Sequence, residues 1–212
     1  MFVVYYIRGD KLMRERRFHR EPREKLLEEF VYILDYLPYG YGAGMRRGYS
    51  SRPTAQAIGE KYFTLLELRL IEGLELKIGE KLPLIGGLES QLLKVSKRLT
   101  YDELTATARA ELPNIIRIIV EQREKEFVEF FNEAQPLTTK MHSLELLYGI
   151  GKKTLWKILN ERKRKKFTSF QDIRERTKID PVKLIVERII EELSKEQKHY
   201  LFVKPYRRRP YF

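Results

Sequence analysis

The sequence predicts an α+β protein, a small OB-like β-barrel followed by an all-α part, and three observations point to it. Stretches between residues 27 and 99 alternate apolar and polar side chains with a period of two and are rich in aromatic residues, which is strand behaviour. Glycines punctuate these stretches at turn distances. From Thr100 onward the apolar period lengthens to three or four residues, a helical repeat. These shifts divide the chain into a charged N-terminal extension over 1–26, a barrel domain over 27–99, connecting helices over 100–137, a helical domain over 138–203 and a basic tail over 204–212.

The extension opens with a short apolar run that could form a strand, then carries Arg8, Lys11, Arg14, Arg16, Arg17, Arg20 and Arg23 among acids, and reads as a solvated leader. The first barrel strand covers 30–37, with Phe30, Tyr32, Leu34 and Tyr36 on one face and Val31, Ile33 and Asp35 on the other. A second covers 62–71, with Thr64, Leu66, Leu68 and Leu70 opposite Phe63, Leu65, Glu67 and Arg69. Leu74, Leu76 and Ile78 make a third, placed at hairpin distance by Gly73, and 93–99 supplies a fourth with Lys94, Lys97 and Arg98 exposed. Several short strands with glycine turns in this span favour a closed, OB-like barrel.

Thr100 and Glu103 form the capping box that opens the helical part. Pro113 suits the first position of a further helix whose stripe is Ile115, Ile116, Ile119, Phe127, Phe130 and Phe131. A third helix is expected over about 139–147. Ser169 with Asp172 caps a later one, and Asp180-Pro181 starts the last, which turns Val182, Ile185, Val186, Ile189, Ile190 and Leu193 inward.

Charge gives the first functional hint. There are 42 Lys and Arg against 30 Asp and Glu, a net charge of +12. The excess is local: residues 152–166 hold eight bases and one acid, Glu161, whereas 79–138 holds ten acids and eight bases. The tail adds Lys204, Arg207, Arg208 and Arg209, with Tyr211 and Phe212 available to dock. A concentrated basic patch suits a polyanion. The absence of cysteine excludes a disulfide framework, a thiolate metal site and a cysteine nucleophile, and favours a reducing compartment. No apolar run is long enough to span a membrane, so a cytoplasmic, soluble protein with no membrane partner is expected.

The segment Leu146, Leu147, Tyr148, Gly149, Ile150, Gly151, Lys152, Lys153, Thr154, Leu155, Trp156, Lys157, Ile158 carries the chemistry. It resembles a helix-hairpin-helix motif, in which a turn of two glycines around an apolar residue joins two packed helices. The glycines let a phosphate approach the backbone, and the amides of the next helix face it. Lys152, Lys153 and Lys157 add charge there, while Leu155 and Ile158 pack the second helix on the first. The bland alternative is a plain αα-hairpin. A degenerate second hairpin over 167–181 lacks the glycines and reads as structural.

A second candidate surface is the loop over 38–52, with Tyr39, Tyr41 and Tyr49 to stack on unpaired bases and Arg46, Arg47 and Arg52 for phosphate. Its glycines lack the spacing of a dinucleotide fingerprint and no P-loop lysine follows, so no cofactor is expected. His19, His142 and His199 show no metal spacing. Lys153 and Asp172 match the lysine and aspartate spacing of hairpin-bearing base-excision glycosylases, a remote enzymatic reading, but Asp172 is already explained as a cap.

Tyr32 to Gly40, Ile58 to Glu67, Leu104 to Pro113, Phe127 to Asn132 and the hairpin together resemble an archaeal family of uncharacterised proteins, domain of unknown function 655, over about residues 27–203. The resemblance implies an OB-like part, a helix-hairpin-helix part and a nucleic-acid role, sometimes given as RNA-binding, with no catalytic residues to carry over. The expectation is therefore a non-catalytic nucleic-acid binder, RNA favoured over DNA. The alternative is an adaptor that docks on a protein of the translation or transcription machinery.

Overall fold

The computed structural model describes residues 5–6, 28–40, 52–84 and 93–205. They form a mixed α+β structure: a curled, antiparallel five-stranded sheet shaped as a half-barrel, together with five α-helices. A two-residue strand β1 (Tyr5–Tyr6) comes first. The sheet comprises β2 (Phe30–Leu37), β3 (Thr54–Gly59), β4 (Leu65–Leu70), β5 (Lys81–Pro83) and β6 (Leu93–Arg98), in the spatial order β5-β2-β3-β4-β6. The helices are α1 (Ala106–Gln122), α2 (Glu124–Glu133), α3 (Lys152–Arg164), α4 (Phe170–Thr177) and α5 (Pro181–Ser194), followed by β7 (His199–Tyr200).

Two bulges shape the sheet. Ile33 pairs with Ala57 and Asp35 with Gln56, leaving Leu34 as an extra residue in β2; Glu67 pairs with Lys97 and Leu68 with Val95, leaving Ser96 extra in β6. An inserted residue bends its strand and raises the local twist, so the sheet curls. The first bulge also overturns the expected face assignment. Val31 and Ile33 point into the half-barrel and Tyr32 and Leu34 toward the helices, but beyond the bulge Tyr36 joins the half-barrel side while Asp35 meets the helices. The half-barrel is filled by Ala55, Ala57, Leu66, Leu68, Leu70, Leu76, Leu82 and Leu93.

Three strand expectations change. β3 pairs with both β2 and β4, and its Thr-Ala-Gln-Ala-Ile-Gly composition carries little strand propensity, so tertiary pairing rather than local preference makes it. The second strand is shorter than 62–71, because Phe63 takes a left-handed φ of 55° in the turn before it. Glu28 holds that turn: its buried carboxylate accepts the backbone N–H groups of Lys61, Tyr62 and Thr64 at 2.9 to 3.1 Å. Leu74, Leu76 and Ile78 form no strand, and the hairpin expected across Gly73 is not made: β4 pairs instead with β3 and β6, while Lys81–Pro83 adds a short strand on the outer edge of β2. Pro83 is tolerated there because an edge position needs no further donor.

The helical part locks onto the sheet through buried polar groups. Thr105 caps α1 by accepting from the Ala108 N–H at 3.0 Å and donates its hydroxyl to Asp35 at 2.6 Å. Gln56, fully buried in β3, accepts the Thr105 N–H at 2.9 Å and donates to the Glu103 carbonyl at 3.0 Å. The Thr100–Glu103 box is present, but it opens a 3-10 turn (Tyr101–Glu103). Since Thr105 sets the start of α1, Pro113 lies inside this helix, on its exposed face, rather than at the start of another. The apolar stripe read across 115–131 is divided at Arg123, whose guanidinium rests on the Phe63 and Phe127 rings and donates to the Glu60 carbonyl.

The caps at Ser169 and Asp180 are as expected: Ser169 accepts from the Asp172 N–H and Asp180 from the Lys183 N–H. One apolar cluster runs from Tyr32, Leu34, Ile58 and Leu65 of the sheet through Ile116, Ile119, Phe127 and Phe131 to Leu155, Ile158, Ile185 and Ile189. The chain end closes it. Phe202 packs edge-on against Phe127 and Phe130, and β7 pairs with β1, so part of the extension is tied to the fold. Glu192 organises this end, accepting the N–H groups of Leu201, Phe202 and Val203 at 2.7 to 3.0 Å and the Arg188 guanidinium at 2.8 Å. Burial pushes its carboxyl up, while Arg188 and the three amides pull the other way.

Two outcomes follow. Glu192→Ala strips four donors of their acceptor inside the core and is expected to cost about 3–5 kcal/mol in urea unfolding; a loss under ~1 kcal/mol would show that the tie contributes little. His142 is buried, and burial followed by the nearby Arg162 charge lowers its pKa, while its neutral Nδ1 accepts from the Leu144 N–H at 3.1 Å. The stabilisation is therefore complete above the unfolded value of about 6.5 and declines as pH falls through the lower folded value. Relative to His142→Asn, the unmodified chain should lose stability as the pH drops below ~6.5.

Candidate nucleic-acid interface

The candidate segment begins after a turn in which Pro136 bridges to His142. A full helix over 139–147 is not formed; a 3-10 turn (Ser143–Leu146) stands there, capped by His142 and by Glu145, which accepts the His142 N–H at 2.8 Å. The short arm buries Leu144 and Leu147 in the same cluster as Leu155 and Ile158, while Leu146, expected beside Leu147, is only partly buried. Asn132 binds the far end of α3, pairing its side chain with the backbone of Phe167 in both directions.

The two glycines have different reasons to be there. Gly149 has φ +80°, the left-handed region where a Cβ is costly, so the turn itself requires it. Gly151 lies in extended backbone, φ −86°, and a Cβ built on it meets nothing within 4 Å. Neither its φ nor packing among the described residues requires a glycine at 151, although glycine is among the residues favoured at an N-cap. Between them Ile150 is buried and donates its N–H to the Leu147 carbonyl at 3.1 Å, which anchors the turn while the glycines stay exposed.

Gly151 is also the N-cap of α3 and brings no side-chain acceptor. The first-turn amides of Lys152, Lys153 and Thr154 thus open outward with the positive end of a 13-residue helix. An anion at that point would meet oriented donors and partial positive charge.

Half of the local basic excess is already engaged. Lys152 Nζ lies 2.8 Å from the Glu145 carboxylate and 3.0 Å from the Lys140 carbonyl, and this contact, with the His142 N–H, holds the Glu145 carboxyl below its usual range. Arg162 donates to the Phe131 and Ala134 carbonyls at the end of α2, Arg164 pairs with Glu161, and Lys166 pairs with Glu133. Lys153, Lys157, Lys163 and Lys165 are exposed and make no ion pair among the described residues. Three of these, Lys153, Lys157 and Lys163, follow each other at spacings of four and six residues on the outer side of α3, away from Leu155 and Ile158.

Sequence reasoning missed two members of this surface. Tyr148 is 81% exposed, immediately before Gly149, and Trp156 is 62% exposed on the outer side of α3. Trp156 is out of phase with the 155/158 stripe, and that spacing was the available signal. An open depression of about 420 Å³ lies at the turn, lined by residues 145–151 with Arg188 and Glu191 of α5.

The second candidate surface is only partly described. Tyr39 is 80% exposed and Arg52 is exposed. Tyr41, Arg46, Arg47 and Tyr49 lie outside the described residues, as do Arg207, Arg208 and Arg209 of the tail. No described residue of that loop lines the depression at the hairpin. Asp172 is committed: its carboxylate accepts the Thr168 N–H at 3.1 Å and the Arg176 guanidinium at 3.2 Å. Among the described residues no His, Cys, Asp or Glu cluster could hold a metal ion, and no helix is long and apolar enough to cross a membrane.

Comparison with known proteins places this geometry. An uncharacterised protein of Methanocaldococcus jannaschii is 40% identical over 190 residues, spanning 89% of this chain and 85% of the relative. A crystal structure from Archaeoglobus fulgidus matches with a TM-score of 0.76 and 41% identity over 84% of this chain and 100% of the other. That structure is assigned to the same family, "Protein of unknown function (DUF655)", whose pattern covers residues 27–204 here, and the chain belongs to this family.

Proposed function

We propose that the chain is a non-catalytic nucleic-acid-binding protein, directed to RNA, that holds phosphate at the Gly149–Gly151 turn and the N-terminus of α3 in the manner of a helix-hairpin-helix. The observation that carries this reading is Gly151, exposed and with open space around it among the described residues, placed at a helix start that no side chain caps. A side chain there would stand between the first-turn amides and an approaching phosphate. Lys153 extends the same surface with free positive charge, whereas Lys152 serves chiefly to fasten the preceding turn through Glu145. Contacts of this kind position a protein on a backbone without reading sequence.

The preference for RNA rests on exposed aromatic side chains beside the phosphate site. Tyr148 and Trp156 suit unpaired bases, which RNA offers in loops and single strands more than duplex DNA does. Tyr39 and Arg52 border a loop that would add to the surface. The half-barrel supplies the OB-like platform in this reading, and the engagement of Asp172 with the Thr168 N–H and the Arg176 guanidinium favours binding over glycosylase chemistry.

Gly151→Ala meets no steric obstacle among the described residues and should cost no more than about 1 kcal/mol in unfolding, the loss of a favoured N-cap residue. The same change should weaken binding of labelled single-stranded RNA, read by fluorescence polarisation. Equal affinity for both proteins would remove the phosphate grip. Replacing Lys153, Lys157 and Lys163 together by Glu should flatten the salt dependence of binding by about 0.7 in the log–log slope per lost contact. A slope that does not change would place the polyanion elsewhere, and absence of binding at low salt would favour an adaptor that docks on protein.

A further inference from the structure

We infer that the outer face of α3 is a track for unpaired nucleotides, with Trp156 as a base-stacking platform between lysines that hold successive phosphates. This rests on the nucleic-acid reading above and deepens it by naming the ligand as single-stranded rather than duplex. The face consists of Lys153, Trp156, Lys157, Asn160 and Lys163, all exposed, and none belongs to the buried stripe of Leu155 and Ile158. Its span from Lys153 to Lys163 is about 15 Å at the helical rise, enough for a few nucleotides of extended strand.

A large indole is left 62% exposed between cationic side chains and has no ring or cation partner among the described residues. The chain fills its apolar core with other residues, and α3 docks without this ring. Opposite charge then decides the occupant. An acidic strand with flat bases satisfies both the lysines and the indole, because every base offers a π face while its phosphates sit outside. In a duplex the bases are stacked on each other, so the indole would gain nothing there. Tyr148, at the start of the track and 81% exposed, is placed to receive the next base.

Trp156 is the chain's only tryptophan, so its emission reports directly on stacking. The experiment titrates the full chain with oligouridylate and with duplex RNA of equal phosphate count at low salt, following both tryptophan emission and the polarisation of labelled oligonucleotide. Oligouridylate is expected to quench Trp156, and duplex RNA to leave it unquenched. Trp156→Ala should lower oligouridylate affinity roughly 5- to 100-fold with duplex affinity and unfolding unchanged. If oligouridylate binds without quenching and Trp156→Ala binds it equally, the stacking track is wrong while the phosphate grip stands. If neither nucleic acid binds, both fall.

Discussion

The ion pair between Arg188 and Glu192 is the contact on which the arrangement of this protein turns. Both side chains are buried, and both also hold backbone: Glu192 accepts three consecutive N–H groups at 201–203, and Arg188 donates to the His199 carbonyl at 2.6 Å as well as to the Glu191 carboxylate. A buried charge without partners is strongly unfavourable, so this geometry fixes the chain end in one place. Fixing the end inserts Phe202 among Phe127 and Phe130, and Lys204 then reaches the Tyr62 carbonyl in the turn that Glu28 holds. Sheet, helices and terminus close one apolar cluster.

The same arginine borders the candidate site. Arg188 lines the depression at the glycine turn, together with Glu191, to which it donates at 3.0 Å. The interface is therefore backed by a rigid helix rather than hung on a loop, and Ile150 plugs it into the core from the other side. Rigid support matters for phosphate recognition, because oriented amides gain over water only if they need not reorganise. The basic residues divide accordingly: Arg162 and Lys152 cap α2 and brace the turn, while Lys153, Lys157 and Lys163 stay exposed on the outer side of α3.

Much of this was legible in the sequence where the local pattern and the tertiary requirement agree. The β2 and β6 strands and the caps at Ser169 and Asp180 read correctly, since each rests on short-range chemistry. The failures have tertiary causes. The Leu34 bulge changes which side Asp35 and Tyr36 face, and no local signal marks an extra residue. The alanines of β3 pack inside a tight half-barrel where small side chains fit, against their strand propensity. Pro113 looks like a helix start only until Thr105, bound to Asp35, is known to cap the helix upstream. A first hairpin helix over 139–147 gives way to a 3-10 turn because His142 and Glu145 cap each other there. Counting eight bases over 152–166 overstated the free charge, since partners such as Glu133 and the α2 carbonyls are distant in sequence.

The account centres on oriented amides at the start of α3, and amide chemical shifts see them directly. A short single-stranded RNA titrated into the uniformly nitrogen-15-labelled chain at low salt should move the amide signals of Gly151, Lys152, Lys153 and Thr154 first and furthest, with saturation. Shifts confined to other surfaces, with these four amides unmoved while RNA binds, would contradict the phosphate grip.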